Sequence, residues 1–226
     1  MSGRAFFVTG TDTGVGKTLV TTLLMDALKS RGKQVLGMKP VAAGCEETPD
    51  GWRNEDVEAL RAAASFPVDR DVMNPYRFLP PISPHLAAAQ AGVAIDLALV
   101  GERLERMRRR ADIVLVEGAG GWYAPLGPAT TMADLARALA LPAILVVGMR
   151  LGCLNHALLS AEAIAASGLR FAGWIANEVD ADMACRQENL AALRERITAP
   201  LLGVVPHLAG AEATSAIPFE LGPLAV

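Results

Sequence analysis

The stretch FFVTGTDTGVGKT, residues 6–18, decides the fold. An apolar run leads into a glycine-rich loop, and Lys17 and Thr18 then open the amphipathic segment LVTTLLMDALKS. Gly10, Gly14 and Gly16 let the backbone turn tightly and bring N–H groups close to an anion, and the helix N-terminus adds partial positive charge. The lysine ammonium suits a phosphate and the threonine hydroxyl suits Mg²⁺. The pattern therefore favours a nucleotide triphosphate site over a glycine-rich turn followed by a surface lysine.

The spacing of this loop is unusual. Five residues separate Gly10 from Gly16 and Lys17, where the standard phosphate-binding loop has four. The loop resembles that of the partition-type and nitrogenase-reductase-like ATPases, which carry a second lysine five residues before the Gly-Lys-Thr lysine. Asp12 occupies that position here. Because a carboxylate cannot neutralise a phosphate across a dimer interface, the branch with a second lysine is disfavoured.

The composition predicts an ordered, soluble protein without a nucleic-acid partner. The 226 residues are 52% hydrophobic and carry a net charge of −3, so nothing indicates a nucleic-acid footprint. The arginines at 106 and 108–110 lie at the end of a predicted helix, where cations complement the helix dipole. No apolar run is long enough for a membrane span, and no signal peptide is predicted. The three scattered cysteines fit reduced thiols in a cytoplasmic protein, and the histidines lack metal-ligand spacing.

Short apolar runs alternate with helical patterns along the chain. The predicted strands are near-continuous apolar runs, as expected for strands buried on both faces, at 5–10, 35–40, 112–118, 143–148, 171–177 and 201–206. The predicted helices lie near 17–31, 96–110, 131–140, 154–167 and 184–197. This alternation predicts an α/β protein with a three-layer, P-loop NTPase-like fold, in which helices cover both faces of a mostly parallel sheet. We interpret residues 1–226 as a single domain, with 41–94 as a functional excursion that carries one or two short helices.

Polar residues follow three of the predicted strands: Lys39, Glu117 and Asn177. Ligands bind at the carboxyl ends of strands in such sheets, so we expect these side chains to gather near the phosphate loop. Glu117, in DIVLVEGAGG, resembles a Walker B carboxylate that holds Mg²⁺, although it could instead cap a turn. Asp56, in RNED, is a candidate second metal carboxylate, although an aspartate near a helix start is usually an N-cap.

Two of these strand-end residues leave alternatives open. Lys39 precedes Pro40, which favours extended backbone, and its ammonium could hold an anionic substrate or simply be solvated. Asn177 offers the donor and acceptor that an adenine edge needs. The segment NEVD is also similar to a guanine-reading loop, but Glu178 stands where that loop carries lysine. We therefore favour adenine.

The segment GMRLGCLNHA, residues 148–157, follows the fourth predicted strand. Gly152 allows a sharp turn, and the backbone N–H groups of 153–155 would open a helix, which suits a carboxylate. We interpret Cys153 as a small half-buried thiol and not as a nucleophile, because no motif puts a base beside it.

Segments along nearly the whole chain resemble the dethiobiotin synthetases, the ATP-dependent carboxylase-cyclases of biotin synthesis. In the family's order they are GTDTGVGKT, KPVAAG, RNED, NPYRF, SPHLAA, VLVEGAGGW, LVVGMRLGCLNHA, GWIANEV and PLLGVVP. The phosphate loop alone is generic, whereas KPVAAG together with VEGAGGW and LGCLNH is specific. The five-residue spacing is this family's own form of the loop.

The resemblance implies a role for each matching position. Thr18, Asp56 and Glu117 would hold Mg²⁺, and Lys39 would be the catalytic lysine, assisted by Lys17. The implied nucleotide contacts are Gly14, Val15, Gly16, Lys17, Thr18, Leu19, Asp56, Glu117, Gly118, Ala119, Gly120, Asn177, Glu178, Pro206, His207 and Leu208. The implied substrate contacts are Lys39, Ala43, Gly152, Cys153, Leu154 and Asn155. The last four would reach the substrate of the neighbouring subunit in a homodimer.

The chain departs from the family pattern at Ala43. The family often has a hydroxyl residue there, close to the substrate and phosphate. Its absence removes a hydrogen bond worth about 1 kcal/mol net. This change affects the fine substrate contacts and not the reaction.

The implied reaction uses 7,8-diaminononanoate, CO₂ or bicarbonate, and ATP as co-substrate with Mg²⁺. One amine takes up CO₂ as a carbamate, the carbamate receives the γ-phosphoryl group, and the second amine closes a cyclic urea. Dethiobiotin, ADP and phosphate are the products. Lys17, Lys39 and Mg²⁺ would bridge two anions that repel one another.

Three other interpretations stay open at this point. A switch ATPase would hydrolyse ATP without regard to diamine or bicarbonate, and Asp12 argues against it. A related amidoligase acting on a larger acid would usually carry an added glutaminase domain, for which this chain has no room. A simple kinase would leave the phosphate on its substrate.

Overall fold

A six-stranded sheet organises the computed structural model, which describes residues 3–208 and 217–224. The strands are β1 (Arg4–Gly10), β2 (Val35–Met38), β3 (Val41–Ala43), β4 (Glu46–Thr48), β5 (Gly51–Arg53), β6 (Tyr76–Phe78), β7 (Ile113–Gly121), β8 (Ala143–Gly148), β9 (Phe171–Asn177) and β10 (Leu201–Val205). The helices are α1 (Lys17–Lys29), α2 (Glu55–Ala63), α3 (Arg70–Met73), α4 (Pro84–Gln90), α5 (Leu97–Arg108), α6 (Met132–Ala138), α7 (Cys153–Ala166), α8 (Arg186–Arg196) and a 3₁₀ turn at Gly222–Leu224.

The order of the strands makes β1 the point at which the winding of the sheet reverses. The sheet runs β10-β9-β8-β1-β7-β2, and every neighbouring pair in it is parallel. The chain passes from β1 out to the edge strand β2, returns to β7, and then crosses β1 to continue through β8, β9 and β10. The direction of winding therefore reverses at β1, which is where open parallel sheets bind their ligands.

The core forms because both faces of the sheet are covered. All six residues of β8 and the last six of β1 are buried, as the continuous apolar runs predict. Helix α1 buries Val20, Leu24 and Leu28, which recur every four residues along one helical face. The predicted α/β fold with helices around a parallel sheet is confirmed.

The predicted element boundaries differ from the structure by a few residues, and two of the differences, at β2 and β7, have a clear physical reason. Strand β2 ends at Met38 and not at Pro40, since proline has no N–H for the ladder. Strand β7 continues to Gly121, because Gly121 pairs with Gly10 beyond a shift in the register of β1 and β7. Glu117 consequently lies within β7 and not at its end.

The prediction of one or two short helices in 41–94 is wrong. The segment contains α2, α3 and α4, together with four three-residue strands. Strands β3 and β6 pair in parallel, and β4 and β5 form an antiparallel hairpin. Three residues are too few to display an alternating pattern, so the sequence carried little signal for these strands.

Among the described residues, no helix has both the length and the apolar character that a membrane crossing requires.

Gly173 lies where β9 approaches β10 too closely for a side chain. Its φ is +156°, and a Cβ there would lie 2.6 Å from Leu202 Cγ and 2.8 Å from the Pro200 carbonyl oxygen. Gly101, inside α5, is different, because the nearest atom to an added Cβ is 3.6 Å away in Leu139.

We expect Gly173→Ala to lower the free energy of unfolding by about 2–3 kcal/mol, through overpacking and backbone strain. Gly101→Ala should raise it by about 0.5–1 kcal/mol, because a helical alanine restricts the unfolded chain without strain. Urea unfolding followed by circular dichroism measures both. Equal stability of the two variants would contradict the close approach of β9 and β10.

Candidate active site

The phosphate loop occupies residues 11–16, between β1 and α1. Gly14 and Gly16 have φ values of 73° and 76°, in the left-handed region that glycine adopts without strain. Gly16 is the N-cap of α1 without a side-chain cap, so the first N–H groups of the helix are available to an anion. Lys17 Nζ donates to the carbonyl oxygen of Asp12 at 3.2 Å, which folds the lysine back over the loop.

Asn177 braces this loop from the end of β9. Its side chain is buried, and Nδ2 donates to the carbonyl oxygen of Val15 at 2.9 Å. A Cβ on Gly16 would lie 2.2 Å from the same nitrogen. One proton of the Asn177 amide is thus used to hold the loop, and its predicted contact with adenine stays a prediction.

Four side chains predicted to act together do meet beside the loop. Lys39 Nζ donates to Glu117 Oε1 at 2.6 Å and to Asp56 Oδ2 at 2.8 Å. Thr18 Oγ1 lies 2.7 Å from Asp56 Oδ1 and 2.8 Å from Glu117 Oε1. Lys39 is 4% exposed and Glu117 is fully buried. The structure therefore brings a cation, two carboxylates and a hydroxyl to one edge of the sheet.

Three structural alternatives for these residues are wrong. Lys39 is not a solvated lysine, because it is buried in two ion pairs. Asp56 is not the N-cap of α2, since Asn54 has that role and its side chain accepts from Val57 N. Glu117 does not cap a turn, because β7 continues for four residues beyond it. Those residues include Gly118, Ala119 and Gly120, which extend the strand along the loop.

The arrangement of oxygen atoms fits Mg²⁺. A hydroxyl carries one proton, so Thr18 can donate to only one of the two carboxylates that surround it. Glu117 Oε2 is buried and has no hydrogen-bond partner. The described residues contain no cluster of three or more His, Cys, Asp or Glu side chains suited to a metal. An ion here would take two carboxylates and a hydroxyl from the protein and further oxygens from phosphate and water, which is how Mg²⁺ is commonly held.

The charges of this cluster shift each other's pKa values. Burial by itself lowers the pKa of Lys39, but Glu117 and Asp56 outweigh it and hold that pKa above its ordinary value. Burial would raise the pKa of Asp56, yet the charge of Lys39 holds it below its ordinary value. Burial and the repulsion of Lys39 lower the pKa of Lys17 to about 8. The carboxylates of Glu117, Asp56 and Asp12 offset this lowering only in part, and a phosphate beside Lys17 would offset more of it.

The predicted adenine contacts lie together at the ends of β9 and β10. Glu178 N donates to the carbonyl oxygen of Val205 at 2.9 Å, and His207 Nδ1 lies 3.1 Å from the Glu178 carbonyl oxygen. Pro206 and Leu208 flank His207.

The predicted substrate segment opens α7. Gly152 has a φ of 93° and is the N-cap of the helix without a side-chain cap. The free thiol of Cys153 is buried in the hydrophobic core and not half-buried as predicted, and this position agrees with a packing role. Leu154 is half-buried and Asn155 is exposed. Ala43, the last residue of β3, is tied to α2 because Asn54 Nδ2 lies 3.3 Å from its carbonyl oxygen.

The sequence analysis did not predict two residues, Asn74 and Arg150, that contact site residues and fix their positions. Asn74 is fully buried, and its Nδ2 donates to the carbonyl oxygens of Lys39 at 2.6 Å and Tyr76 at 3.2 Å. The position of Asn74 directly before a proline, in NPYRF, was the signal available. Arg150 pairs with Asp12 of the phosphate loop at 2.6 Å, and no motif predicted that contact.

The chain matches a family model and named relatives over most of its length. Residues 4–215 match the AAA domain family. The ATP-dependent dethiobiotin synthetase BioD of Aromatoleum aromaticum is 57% identical over 209 residues, which cover 92% of this chain and 93% of that protein. The BioD of Cellvibrio japonicus is 52% identical, covering 96% of this chain and 95% of the relative.

Solved structures with low sequence identity share the fold. The signal recognition particle receptor FtsY of Elizabethkingia anophelis has a TM-score of 0.57 at 14% identity, covering 99% of this chain and 62% of that chain. The MinC:MinD cell division complex of Aquifex aeolicus has a TM-score of 0.57 at 16% identity, covering 91% of this chain and 82% of that chain. The fold is thus common to several P-loop proteins, whereas the identity of the BioD relatives is specific. On these grounds the chain belongs to the ATP-dependent dethiobiotin synthetase family.

Proposed function

We propose that this chain catalyses the ATP-dependent carboxylation and ring closure of 7,8-diaminononanoate to dethiobiotin, as a single domain in the cytoplasm. The observation that carries the proposal is the Lys39 ammonium, buried between Glu117 and Asp56 beside Thr18 of the phosphate loop. A buried cation at this position can hold a carbamate against a triphosphate, because it offsets the repulsion between the two anions.

The nucleotide and metal roles follow from the same edge of the sheet. The N–H groups at the start of α1 and Lys17 would bind the β- and γ-phosphates of ATP. Thr18, Asp56 and Glu117 would hold Mg²⁺, which neutralises charge on the phosphates when bound. The unpartnered Glu117 Oε2 supports this donor set.

The reaction needs no covalent link to the protein. One amine of the diamine attacks CO₂ and loses a proton, giving a carbamate. A carbamate oxygen attacks the γ-phosphorus, ADP leaves, and a carbamic-phosphoric anhydride forms. The second amine attacks the anhydride carbon, loses a proton and expels phosphate, which closes the cyclic urea. Lys39 and Lys17 act by holding charge and position throughout.

The remaining contacts are proposed from the chemistry of each segment. The N–H groups of Gly152–Asn155 would bind the diamine carboxylate, from the neighbouring subunit of a homodimer. Ala43 lacks a hydroxyl, so the diamine would make one hydrogen bond fewer there. Two segments would contact adenine: Asn177 with Glu178, after β9, and residues 206–208, after β10.

The proposed reaction is tested by supplying ATP, Mg²⁺, bicarbonate and 7,8-diaminononanoate to the purified protein. We expect free phosphate and the cyclic urea in equal amounts, and we expect each to depend on both the diamine and bicarbonate. Mass spectrometry and a phosphate assay measure the products. ATP hydrolysis that ignores the diamine would indicate a switch ATPase, and phosphate retained on the substrate would indicate a kinase.

Lys39→Met should lower kcat at least about 100-fold, since it removes a charge that acts on the developing negative charge. Affinity for the nucleotide should stay within about threefold, because Lys17 and the loop are unchanged. In the absence of nucleotide, the free energy of unfolding of Lys39→Met should be about 3–5 kcal/mol lower than that of the wild type, because Glu117 and Asp56 lose their buried partner. Lys29→Met, which removes a half-buried lysine paired with Asp26, is the matched control. Activity assays, calorimetric titration and thermal unfolding measure these effects, and an active Lys39→Met enzyme would refute the assigned role.

Glu117→Gln should weaken the dependence of nucleotide affinity on Mg²⁺ about 10-fold or more, since it replaces a charged metal ligand by a neutral amide. The measurement is calorimetric titration with a non-hydrolysable ATP analogue, with and without Mg²⁺. Glu162→Gln, an exposed position on α7, should leave the Mg²⁺ dependence unchanged. An unaltered response of Glu117→Gln would remove Glu117 from the metal site.

A further inference from the structure

Asp12 connects three parts of the candidate site. Its Oδ1 accepts from Thr13 N at 2.7 Å, which fixes the turn of the phosphate loop. Its carbonyl oxygen accepts from Lys17 Nζ at 3.2 Å. Its Oδ2 accepts from Arg150 Nη2 at 2.6 Å, across 138 residues of chain. The loop is therefore joined to the segment after β8 through one side chain.

Arg150 begins the turn that leads into α7. Its carbonyl oxygen accepts from Cys153 N at 2.9 Å, and Gly152 then caps the helix with a positive φ. A continuous path of contacts thus runs from Lys17 through Asp12 and Arg150 to the first residue of α7.

A second path joins the same two segments through buried groups. Asn177 Nδ2 donates to the Val15 carbonyl oxygen at 2.9 Å, and Met149 N donates to the Asn177 carbonyl oxygen at 2.7 Å. Asn177 is 3% exposed, so this path is part of the rigid sheet. The Asp12 and Arg150 side chains are 45% and 41% exposed, so their pair is the link that can adjust.

We propose that Asp12 and Arg150 are positioning residues that couple nucleotide binding at the phosphate loop to the conformation of the turn at Gly152–Asn155. The proposed function supplies the identity of the second ligand, the diamine carboxylate. A bound phosphate competes with the Asp12 carbonyl oxygen for the Lys17 ammonium, so nucleotide binding alters the contacts of Asp12 directly. Arg150 then transmits the change to α7, because Asp12 holds its guanidinium and Cys153 N donates to its carbonyl oxygen.

An exposed ion pair of this kind contributes little to folding stability. Its removal should therefore leave the fold and the loop intact and act on the coupling alone. This separates the proposal from a purely structural role, in which Asp12 variants would lose loop order and coupling together.

Hydrogen exchange tests the coupling without the diamine. In the wild-type protein, Mg²⁺ with a non-hydrolysable ATP analogue should slow amide exchange both in the loop, 12–18, and in the first turn of α7, 153–157, the latter by at least about fivefold. Asp12→Asn and Arg150→Gln should keep the protection of the loop and lose most of that at α7. Arg150→Lys should restore part of it. Asp26→Asn, the same change in an exposed pair on α1, should behave as wild type.

Steady-state kinetics gives a second measurement. At saturating ATP, Asp12→Asn and Arg150→Gln should each raise the KM for the diamine about fivefold or more, and the double variant should be no worse than either single variant. Full protection of α7 in both variants, or additive effects in the double variant, would overturn the proposal. Loss of loop protection would also overturn it. Because the exchange experiment needs only nucleotide, the coupling can hold even if diamine turnover is absent, which would refute the proposed function instead.

Discussion

The buried ammonium of Lys39 is the interaction on which the site depends. A charge at 4% exposure is tolerated only when partners compensate for its lost hydration. Glu117 and Asp56 provide that compensation at 2.6 and 2.8 Å. The ion pairs tie together the residue after the edge strand β2, the inner strand β7 and the start of α2. Asn74 adds a further constraint by holding the carbonyl oxygen of Lys39, so an irregular excursion of the chain is fixed against the sheet.

This balance of charge also prepares the site for an anion. Lys39 is neutralised by carboxylates, whereas the pKa of Lys17 falls to about 8 because burial and Lys39 both oppose its charge. A phosphate beside Lys17 would relieve that repulsion and favour the charged form. The Lys39 ammonium is thus held in position before any ligand arrives, which limits its reorganisation during the reaction. The second oxygen of the Glu117 carboxylate, Oε2, has no hydrogen-bond partner, and this is the atom that the proposed metal site would use.

The sequence predicted those parts of the arrangement that follow from a repeated pattern of apolar segments and helices. Alternating apolar runs predicted the parallel sheet, and parallel strands necessarily bring Lys39 and Glu117 to one edge. The role of Asp56 required the resemblance, because an aspartate at a helix start has a common local explanation in capping. Asn54 takes that capping role in the structure, and the position of Asp56 near the helix start could not by itself decide between capping and metal binding. The three-residue strands of 41–94 and the pair between Asp12 and Arg150 had no periodic signal, since both arise from tertiary contacts.

Asp12 belongs to a loop whose fold is shared with other proteins, but its side chain contributes to what is particular to this site. FtsY and a chain of the MinC:MinD complex have similar architecture at low identity, and a shared fold does not imply a shared function. What distinguishes this chain is which side chains stand around the loop. A carboxylate at Asp12 cannot itself contact phosphate favourably, but it recruits the guanidinium of Arg150 from the neighbouring segment. A positive charge, the Arg150 guanidinium, therefore lies beside the loop, and it comes from the segment of the same chain that leads into α7. On the proposed coupling, this pair joins the loop to the turn at Gly152–Asn155 within one chain, so a ligand bound at either place acts on the other.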